Sequence, residues 1–344
     1  MSRHRALLRY LATRVALAPL MLWLIASLVF LLLRLAPGDP IDALLGTRAP
    51  AAAREALRAQ LGLNRPLFEQ YGHYLWQLLS GDLGSSLTNQ EPVMGVIRDS
   101  LPASLELGSV ALILAALLGL AVGFSGIARP EGRLDLAGRL YGIGTYALPP
   151  FWAAMAMQLL FAVWLGWLPV GGRFPATLLP PQGSGFYLLD SLLEGLRSGQ
   201  WQQLGGTLRH LILPAGTLAL LLSGIFANAL RLNLHRTLDS DYVEAARSRG
   251  LSETRVVLRH ALPNALLPVL TITGITVASL IGGALLIEIT YSWPGIASRL
   301  QEAIGQRDYP LVQGIVVVIS SLVVLVTVSV DLLVALIDPR ISYD

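Results

Sequence analysis

The sequence predicts an all-α integral membrane protein with six transmembrane helices. Of its 344 residues, 54% are hydrophobic and only 14% are charged, whereas soluble domains usually carry about a quarter charged residues. Six largely apolar runs reach the roughly 17 to 25 residues that a membrane-spanning helix needs. Arginines are concentrated in alternate connections between these runs, as expected of a multi-pass protein whose basic loops face the cytoplasm.

The six predicted spans occupy the chain from residue 15 onward. They are residues 15–33, 107–128, 140–165, 211–230, 266–287 and 311–330. The first run is longer than the apolar region of a signal peptide and no A-x-A site follows it, so we expect it to be retained. Pro149 and Pro150 interrupt the third run, where they should kink or break the helix.

The arginines also predict the orientation of the chain. They concentrate in the N-terminal tail and in the connections after the second and fourth spans, which the positive-inside rule assigns to the cytoplasm. We therefore expect both termini to be cytoplasmic. The predicted organisation is a cytoplasmic tail at 1–14, a first span at 15–33, an extracytoplasmic region at 34–106, a core of five helices at 107–330 with a cytoplasmic loop at 231–263, and a cytoplasmic tail at 331–344.

Two extracytoplasmic connections are predicted to contain short amphipathic helices. Apolar residues at helical spacing mark the first of these helices; they are Leu67, Tyr71, Tyr74, Leu75, Leu78 and Leu79. The second lies in the segment YLLDSLLEGLRSGQW, residues 187–201. Helices of this kind lie on the membrane surface or against the spans.

The composition excludes several kinds of chemistry. The chain has no cysteine, which rules out disulfides and thiol catalysis. All 25 basic residues are arginine, so a P-loop lysine is absent and the chain cannot be a conventional ATPase by itself. The sequence shows no metal-ligand motif, and a net charge of +3 gives little support to nucleic-acid binding. We predict no catalytic, cofactor-binding or metal-binding residue in this chain.

The string GFSG at residues 123–126 raises the alternative of an intramembrane serine protease, since it resembles the G-x-S-G string of rhomboid proteases. A serine nucleophile needs a base within hydrogen-bond reach. None of the five histidines lies inside a predicted span; they are His4, His73, His210, His235 and His260. We therefore assign Gly123 and Ser125 to helix packing.

The most informative segment is the charged loop DYVEAARSRGLSETRVVLRHALPNALLP, residues 241–268. Asp241 is predicted to cap a helix that begins at Tyr242, with Glu244 reaching back in a variant of the capping box. Gly250 stands where a helix ends in a left-handed residue.

A second short helix is predicted to follow in the same loop. Ser252 should cap it, it should continue to His260, and Pro263 and Pro268 should mark the return to the membrane. The pattern therefore predicts a helix–glycine–helix hairpin at the cytoplasmic surface.

One face of the first hairpin helix is predicted to carry small, aromatic and basic residues together, by their spacing. These residues are Tyr242, Ala245, Ala246 and Arg249. Two interpretations remain open on spacing alone: a solvated loop in which Glu244 only caps its helix, or a surface that fits a groove on a soluble partner.

Eleven sequence blocks resemble one family of membrane proteins, the permease subunits of binding-protein-dependent ABC importers of the dipeptide/oligopeptide/nickel class. EAARSRG followed by Leu262-Pro263 resembles the EAA motif of such permeases. The blocks occur in the family's order between about residues 6 and 342 and read FLLLRLAPGDP, LGLNRPLFEQY, GDLGSSL, ALPPFW, LGWLPVGG, LRHLILPAGTLAL, DYVEAARSRGL, RHALPNALLP, EITYSWPGI, RDYPLVQG and DPRI.

The resemblance implies a type I ABC importer permease fold in which the charged loop is a coupling-helix hairpin docked on an ATPase subunit. The residues that would carry this coupling are Tyr242, Glu244, Ala245, Ala246, Arg249, Gly250, Leu262 and Pro263. The implied partners are a second homologous permease, two cytoplasmic ATPase subunits holding ATP and magnesium, an extracytoplasmic solute-binding protein and the membrane lipid. The implied solute is a peptide or a related small compound, such as a nickel chelate or a glutathione-like molecule.

The resemblance also implies that the outer loops contact the binding protein or form the outer gate. The residues expected there are Gly38, Asp39, Pro40, Gly81, Asp82, Gly84, Tyr291, Pro294 and Gly295.

A self-sufficient channel or secondary carrier is the alternative class. Ion-coupled carriers usually bury acids or bases within their spans, and the six apolar runs contain none. We expect Glu106, Glu288 and Asp331, at the ends of runs, to be solvated at the membrane interface or to cap helices.

Overall fold

A computed structural model describes residues 3–36, 38–46, 49–125 and 132–337 of the chain as an almost entirely helical protein. Within these residues β-sheet pairing is limited to one isolated bridge between Ser85 and Pro92. The helices are α1 Arg3–Leu35, α2 Pro40–Leu45, α3 Ala51–Gln60, α4 Leu67–Leu79, α5 Val93–Ser125, α6 Arg133–Ala147, α7 Pro150–Met157 followed by a π-helical segment Gln158–Trp164, α8 Tyr187–Ser198, α9 Gln202–Leu238, α10 Asp241–Ser248, α11 Glu253–Arg255 followed by a π-helical segment Val256–Ala261, α12 Leu262–Thr290, α13 Ile296–Gln306 and α14 Tyr309–Ile337.

The prediction of an all-helical membrane protein is confirmed. Five helical stretches of the described chain are long and apolar enough to cross a membrane, and α6 together with the segment 150–164 gives a sixth if this bent pair is one span. The pair bends by 104° at Pro149-Pro150, where α6 ends before the two prolines and Pro150 begins the next helix, a position that suits proline. The predicted amphipathic helices are α4 and α8.

The helices extend beyond the apolar runs that predicted them. Helix α1 already begins at Arg3, inside the predicted tail 1–14, and α5 begins at Val93, before the predicted start at residue 107. The predicted end of the second span, residues 126–128, lies outside the described residues, as does the second half of the predicted tail, residues 338–344. A hydropathy window detects the apolar part of a helix, whereas the hydrogen-bonded helix continues into polar sequence.

The chain divides into two compact units. Unit 1 comprises residues 1–11, 104–293 and 325–344, and unit 2 comprises residues 12–103 and 294–324. In unit 1 the long helix α9 packs against α6, α7, α8 and α12. Glycines allow the backbones to approach closely there: a Cβ on Gly119 of α5 would lie 2.4 Å from the carbonyl oxygen of Ser223 in α9. Such small-residue packing is a usual way in which transmembrane helices associate.

A buried ion pair joins the loop between the π-helical segment 158–164 and α8 to helix α5 of unit 1. The carboxylate of Glu106 in α5 is 3% exposed and accepts hydrogen bonds from Nη2 of Arg173 at 2.7 Å and from its Nε at 3.1 Å. Arg173 also donates to the carbonyl of Gly185 and lies 3.9 Å from the ring centroid of Tyr187. Glu106 is therefore not solvated at the interface as the sequence predicted, because its charge is compensated by an arginine in the loop before α8.

The same prediction of a solvated carboxylate is wrong for Glu288 in α12. Its side chain is fully buried in unit 1 and accepts a hydrogen bond from the hydroxyl of Ser104. Buried carboxylates are retained in proteins only where hydrogen bonds or opposite charges compensate them. Both acids therefore belong to the packed interior rather than to a solvated helix end.

Unit 2 contains the N-terminal amphipathic helices and its own hydrophobic clusters. One cluster forms around Val93, Ile296 and Ile315, and another around Phe30 and Tyr74. Asp308 is fully buried before α14, where its carboxylate accepts hydrogen bonds from the backbone N–H of Leu311 and from the hydroxyl of Ser86. Such an acceptor satisfies the orphan donors of the helix start.

Breaking the buried ion pair should destabilise the protein. We expect Arg173→Met to lower the free energy of unfolding by about 3–5 kcal/mol, because Glu106 is left charged and buried. The exposed pair between Arg299 and Glu302 provides the control, since Arg299→Met should cost less than about 1 kcal/mol. Thermal unfolding of the purified variants in detergent measures both effects, and equal Tm shifts would contradict the assignment.

Candidate functional site

The predicted hairpin is present between α9 and α12 in unit 1. Helix α9 ends at Leu238, and Ser240, in an extended conformation, is the N-cap of α10. The hydroxyl of Ser240 donates to the carbonyl of Thr237, and α10 has no side-chain cap hydrogen bond. The predicted capping by Asp241 is therefore wrong: this residue is the first of the helix, where its negative charge still favours the positive end of the helix dipole.

The turn of the hairpin confirms the prediction for Gly250. Its backbone has φ of +74°, in the left-handed region, and its N–H donates to the carbonyl of Arg247. Residues with a Cβ pay a penalty in this conformation, whereas glycine does not. Arg247 also donates from Nε to the carboxylate of Glu253 at 2.8 Å, which links the two arms of the hairpin.

The second arm differs from the prediction because it does not end in a turn. Ser252 does precede α11, as expected, but the π-helical segment 256–261 then leads directly into α12. Pro263 occupies the first turn of α12 and Pro268 lies inside that helix. A proline in the first turn of a helix removes no intrahelical hydrogen bond, because the N–H it lacks would have no partner there. Leu262 and Pro263 therefore begin a long helix instead of turning the chain.

The inner face of α10 is anchored to the long helices. Val243 is fully buried and Ala246 is 6% exposed, and both belong to a hydrophobic cluster with Leu234 of α9 and with Val256 and Ala265 of the following segments. The sequence placed Ala246 on the partner-facing side, which the structure corrects. A helix rotates 100° per residue, so adjacent alanines point in different directions, and here Ala246 faces the cluster while Ala245 is exposed.

The outer face of α10 is exposed, and we call it the outer face of the hairpin. It consists of Tyr242, Glu244 and Ala245 of α10 together with Arg249, which directly follows this helix. Within the described chain, the carboxylate of Glu244 makes no hydrogen bond or ion pair, so the interpretation that it caps its own helix does not hold. The hydroxyl of Tyr242 accepts a hydrogen bond from Nδ2 of Asn264 in α12, which orients the ring. The hairpin therefore presents an aromatic ring, a small residue and both signs of charge to the outside.

The first group of predicted outer residues forms a local structure in unit 2. Oδ1 of Asp39 accepts from the N–H of Ile41 at the start of α2, and its other oxygen pairs with Arg58 of α3. Gly38 has φ of +109° and lies against the guanidinium of Arg307, and Pro40 is buried. Asp39 thus fixes two short helices to each other.

The second group forms the turn after α4. Gly81 and Asp82 are exposed, and Oδ1 of Asp82 accepts from the N–H of Gly84. Gly81 and Gly84 both have positive φ, so this turn needs glycine at both positions.

The third group divides between the two units. Tyr291 belongs to unit 1, is 1% exposed, and its hydroxyl contacts Thr217 and the carbonyl of Ala154. Burial raises the pKa of Tyr291, while the hydrogen bond to Thr217 opposes this shift. Direct contact of Tyr291 with a soluble partner is therefore excluded in this conformation. In unit 2, Pro294 is exposed and Gly295 is buried.

Sequence reasoning did not connect Glu106 with Arg173, which are 67 residues apart. Glu106 was expected at a helix end, and Arg173 was missed. A signal was present, since a lone acid directly before an apolar run and a lone arginine in a glycine- and proline-rich loop both require a partner when buried. Among the described residues, no group of three or more His, Asp or Glu side chains is arranged to hold a metal ion.

Comparison with protein families identifies the class to which this fold and hairpin belong. Residues 113–343 match the family described as "Binding-protein-dependent transport system inner membrane component", and residues 7–108 match the N-terminal region of such membrane components. The chain belongs to this family. It is a permease of an ABC importer and a multi-pass inner membrane protein, and its family is one of transport subunits rather than enzymes.

Curated relatives extend over nearly the whole chain. It is 39% identical to the di/tripeptide transport system permease protein DppB of Pseudomonas aeruginosa, over 98% of this chain and 99% of that protein. It is 41% identical to the probable D,D-dipeptide transport system permease protein DdpB of Escherichia coli K12, over 92% and 93% of the two chains. A crystal structure of an amino acid ABC transporter shares 15% identity at a TM-score of 0.46, over 72% of this chain and 95% of that one.

The two adjacent alanines of α10 should respond differently to enlargement. Ala246→Leu should lower the free energy of unfolding by about 1–3 kcal/mol, because three additional carbon atoms are forced into a packed cluster. Ala245→Leu is the matched control and should change it by less than about 0.5 kcal/mol, as is usual at exposed positions. Thermal unfolding in detergent distinguishes the two, and the reverse order of Tm values would refute the inward placement of Ala246.

Proposed function

We propose that this chain forms half of the membrane pathway of an ATP-driven importer of short peptides and that the outer face of its hairpin docks on a cytoplasmic ATPase subunit. The observation that carries the proposal is the two-sided character of α10. Val243 and Ala246 are buried against α9 and α12, whereas Tyr242, Glu244 and Ala245 are exposed. A helix of this kind can contact a partner through its exposed face and transmit the displacement to the long helices through its buried face.

The proposal requires ATP hydrolysis on partner subunits. The chain has no lysine and therefore no P-loop lysine, which reaches the β- and γ-phosphates in such ATPases. ATP and magnesium would be held by two ATPase subunits, and this chain would carry no cofactor of its own. Glu244 supplies an unpaired, exposed carboxylate for a basic residue of the partner, and Ala245 permits close approach of the two surfaces.

Rigid coupling follows from the way in which the hairpin is built. Gly250 sets the turn, Arg247 and Glu253 join the two arms, and the second arm continues into α12 without a break. A displacement of α10 therefore moves the cytoplasmic ends of α9 and α12 with it, since packed cores shift as units rather than deform continuously. In an alternating-access cycle, this displacement would convert ATP-driven closure of the partner into motion of the spans.

The solute class is proposed from the relatives, which are named as dipeptide and di/tripeptide permeases. We therefore propose short peptides as the transported solute, in preference to nickel chelates and glutathione-like compounds. An extracytoplasmic binding protein would deliver the solute, and a second homologous permease would complete the pathway. The exposed residues of the outer loops, Asp82 and Pro294 among them, are the proposed contacts for these partners.

Reversing the charge of Glu244 should uncouple the complex. We expect Glu244→Arg to reduce co-purification of the ATPase and peptide uptake at least about 10-fold, since a like-charge pair replaces an attractive one across the interface. Membrane insertion should be unchanged because α10 lies outside every candidate span. Glu302→Arg, at an exposed position of α13, is the control. Normal uptake by the Glu244→Arg complex would eliminate the charge-pair role.

The proposed orientation can be tested with single cysteines, because the natural chain contains none. Ser248→Cys in the hairpin should react with a membrane-impermeant maleimide only after the membrane is permeabilised. Ser80→Cys, an exposed residue after α4, should react in intact spheroplasts. The opposite labelling pattern would invert the topology, with both termini then outside the cytoplasm.

A further inference from the structure

Unit 2 contains a partly open cavity of about 330 Å³ that the proposed coupling mechanism does not use. The C-terminal end of α1, the loop before α4, α4 itself and the start of α14 line it. Its volume is at the lower end of the range of small-molecule sites, which typically occupy about 300–1,000 Å³. The cavity therefore has room for a small solute.

Three polar groups of the cavity lining have unsatisfied hydrogen-bonding capacity. Within the part of the chain that the structure describes, Nη1 of Arg34, the hydroxyl of Tyr74 and Nε2 of Gln313 are buried atoms without a hydrogen-bond partner. Tyr74 is 8% and Gln313 6% exposed. Buried polar groups in proteins are normally paired, so three unpaired groups in the lining of one cavity indicate a missing acceptor.

The guanidinium of Arg34 is held in place by groups other than the missing acceptor. It lies between two aromatic rings, 4.5 Å from the ring centroid of Phe30 and 4.7 Å from that of Tyr309. Its Nε donates to Oε1 of Gln70, whose own amide donates to the carbonyls of Leu63 and Arg65. Gln70 therefore orients Arg34 and leaves Nη1 for a ligand, which is the arrangement of a preorganised site.

The unpaired groups all act as donors. Burial, and secondarily the neighbouring Tyr71, raise the pKa of Tyr74 to about 12, so its hydroxyl keeps its proton at neutral pH. The Gln313 amide nitrogen and the guanidinium donate by their chemistry. Among the described residues that line the cavity, Asp82 is the one acid, and it is exposed and accepts from the N–H of Gly84. A cation flanked by donors requires an anionic acceptor, and arginine is well suited to carboxylates.

We propose that this cavity binds the carboxylate of a short zwitterionic peptide, with Arg34, Tyr74 and Gln313 as the donors. Asp82 provides a negative charge at the same cavity for the ammonium end, and the leucines at positions 61, 63 and 78 provide apolar surface for a side chain. The choice of peptide rests on the proposed transport function, whereas the recognition of a carboxylate rests on the cavity alone. The site would hold solute within this permease in addition to any site on the binding protein.

The test is a binding measurement on the purified full-length chain, with whatever subunits co-purify, in the absence of ATP. The probes are Ala-Ala, its C-terminal amide and glycerol 3-phosphate, and the affinity of each is measured by calorimetry. We expect Ala-Ala to bind at least about 10-fold more tightly than the amide, because charge-assisted hydrogen bonds to the carboxylate are lost. Equal affinity for peptide and amide, or tight binding of glycerol 3-phosphate in place of the peptide, would overturn the proposal.

Two isosteric variants and two matched controls place the ligand in the cavity. Tyr74→Phe should weaken Ala-Ala binding about 3- to 10-fold through loss of one hydrogen bond. Gln313→Glu should abolish binding and raise the Tm, because the new carboxylate pairs with Arg34 in place of the ligand. Tyr146→Phe and Gln301→Glu alter exposed residues outside the cavity and should bind like the natural chain. Unchanged binding by both cavity variants would refute the assignment.

These experiments distinguish failure of the transport proposal from failure of the cavity proposal. Binding of Ala-Ala by a complex that imports no peptide overturns the transport proposal and supports the cavity. Import of peptides by a complex in which Gln313→Glu has no effect on Ala-Ala affinity overturns the cavity and leaves the transport proposal in place.

Discussion

The burial of Val243 and Ala246 against α9 and α12 is the contact on which the coupling account depends. These two small side chains belong to a hydrophobic cluster that continues from Phe226 and Leu230 in α9 to Val269 in α12. An exposed loop of charged residues would move independently of the membrane helices. A helix with one buried face cannot do so, since separating it would expose apolar surface at about 25 cal/mol per Å². The charged loop is therefore packed as part of the helical core.

The fold was largely predictable from the sequence because its dominant signal is hydropathy. Six apolar runs and the arginine pattern predicted the helices, and Pro149-Pro150 predicted the 104° bend. The hairpin and its left-handed Gly250 were predictable from short-range rules. The direction in which Ala246 points was not, because spacing defines the faces of a helix without saying which of two adjacent small residues meets the core. The continuation through Pro263 was also missed, since proline both starts and ends helices.

The charged interior was not predictable, because its pairs join residues distant in sequence. Glu106 meets Arg173 and Glu288 meets Ser104, 184 residues away. Hydropathy placed both acids at the ends of runs, where solvation is usual. The unpaired donors around Arg34 are equally inaccessible to sequence reasoning, since they are defined by missing partners in a folded cavity. Both groups of residues show where a membrane protein departs from its apolar pattern, and such departures frequently mark function.

The most direct test of the account is a photo-crosslinking measurement in living cells. A photo-reactive amino acid is introduced at position 245, on the outer face of the hairpin, and in a second strain at position 246, and the products are identified by mass spectrometry. We expect position 245 to capture a soluble ATP-binding subunit and position 246 to yield crosslinks only within this chain. Capture of no soluble protein from position 245, in a strain that imports peptides normally, would contradict the docking of this face on an ATPase.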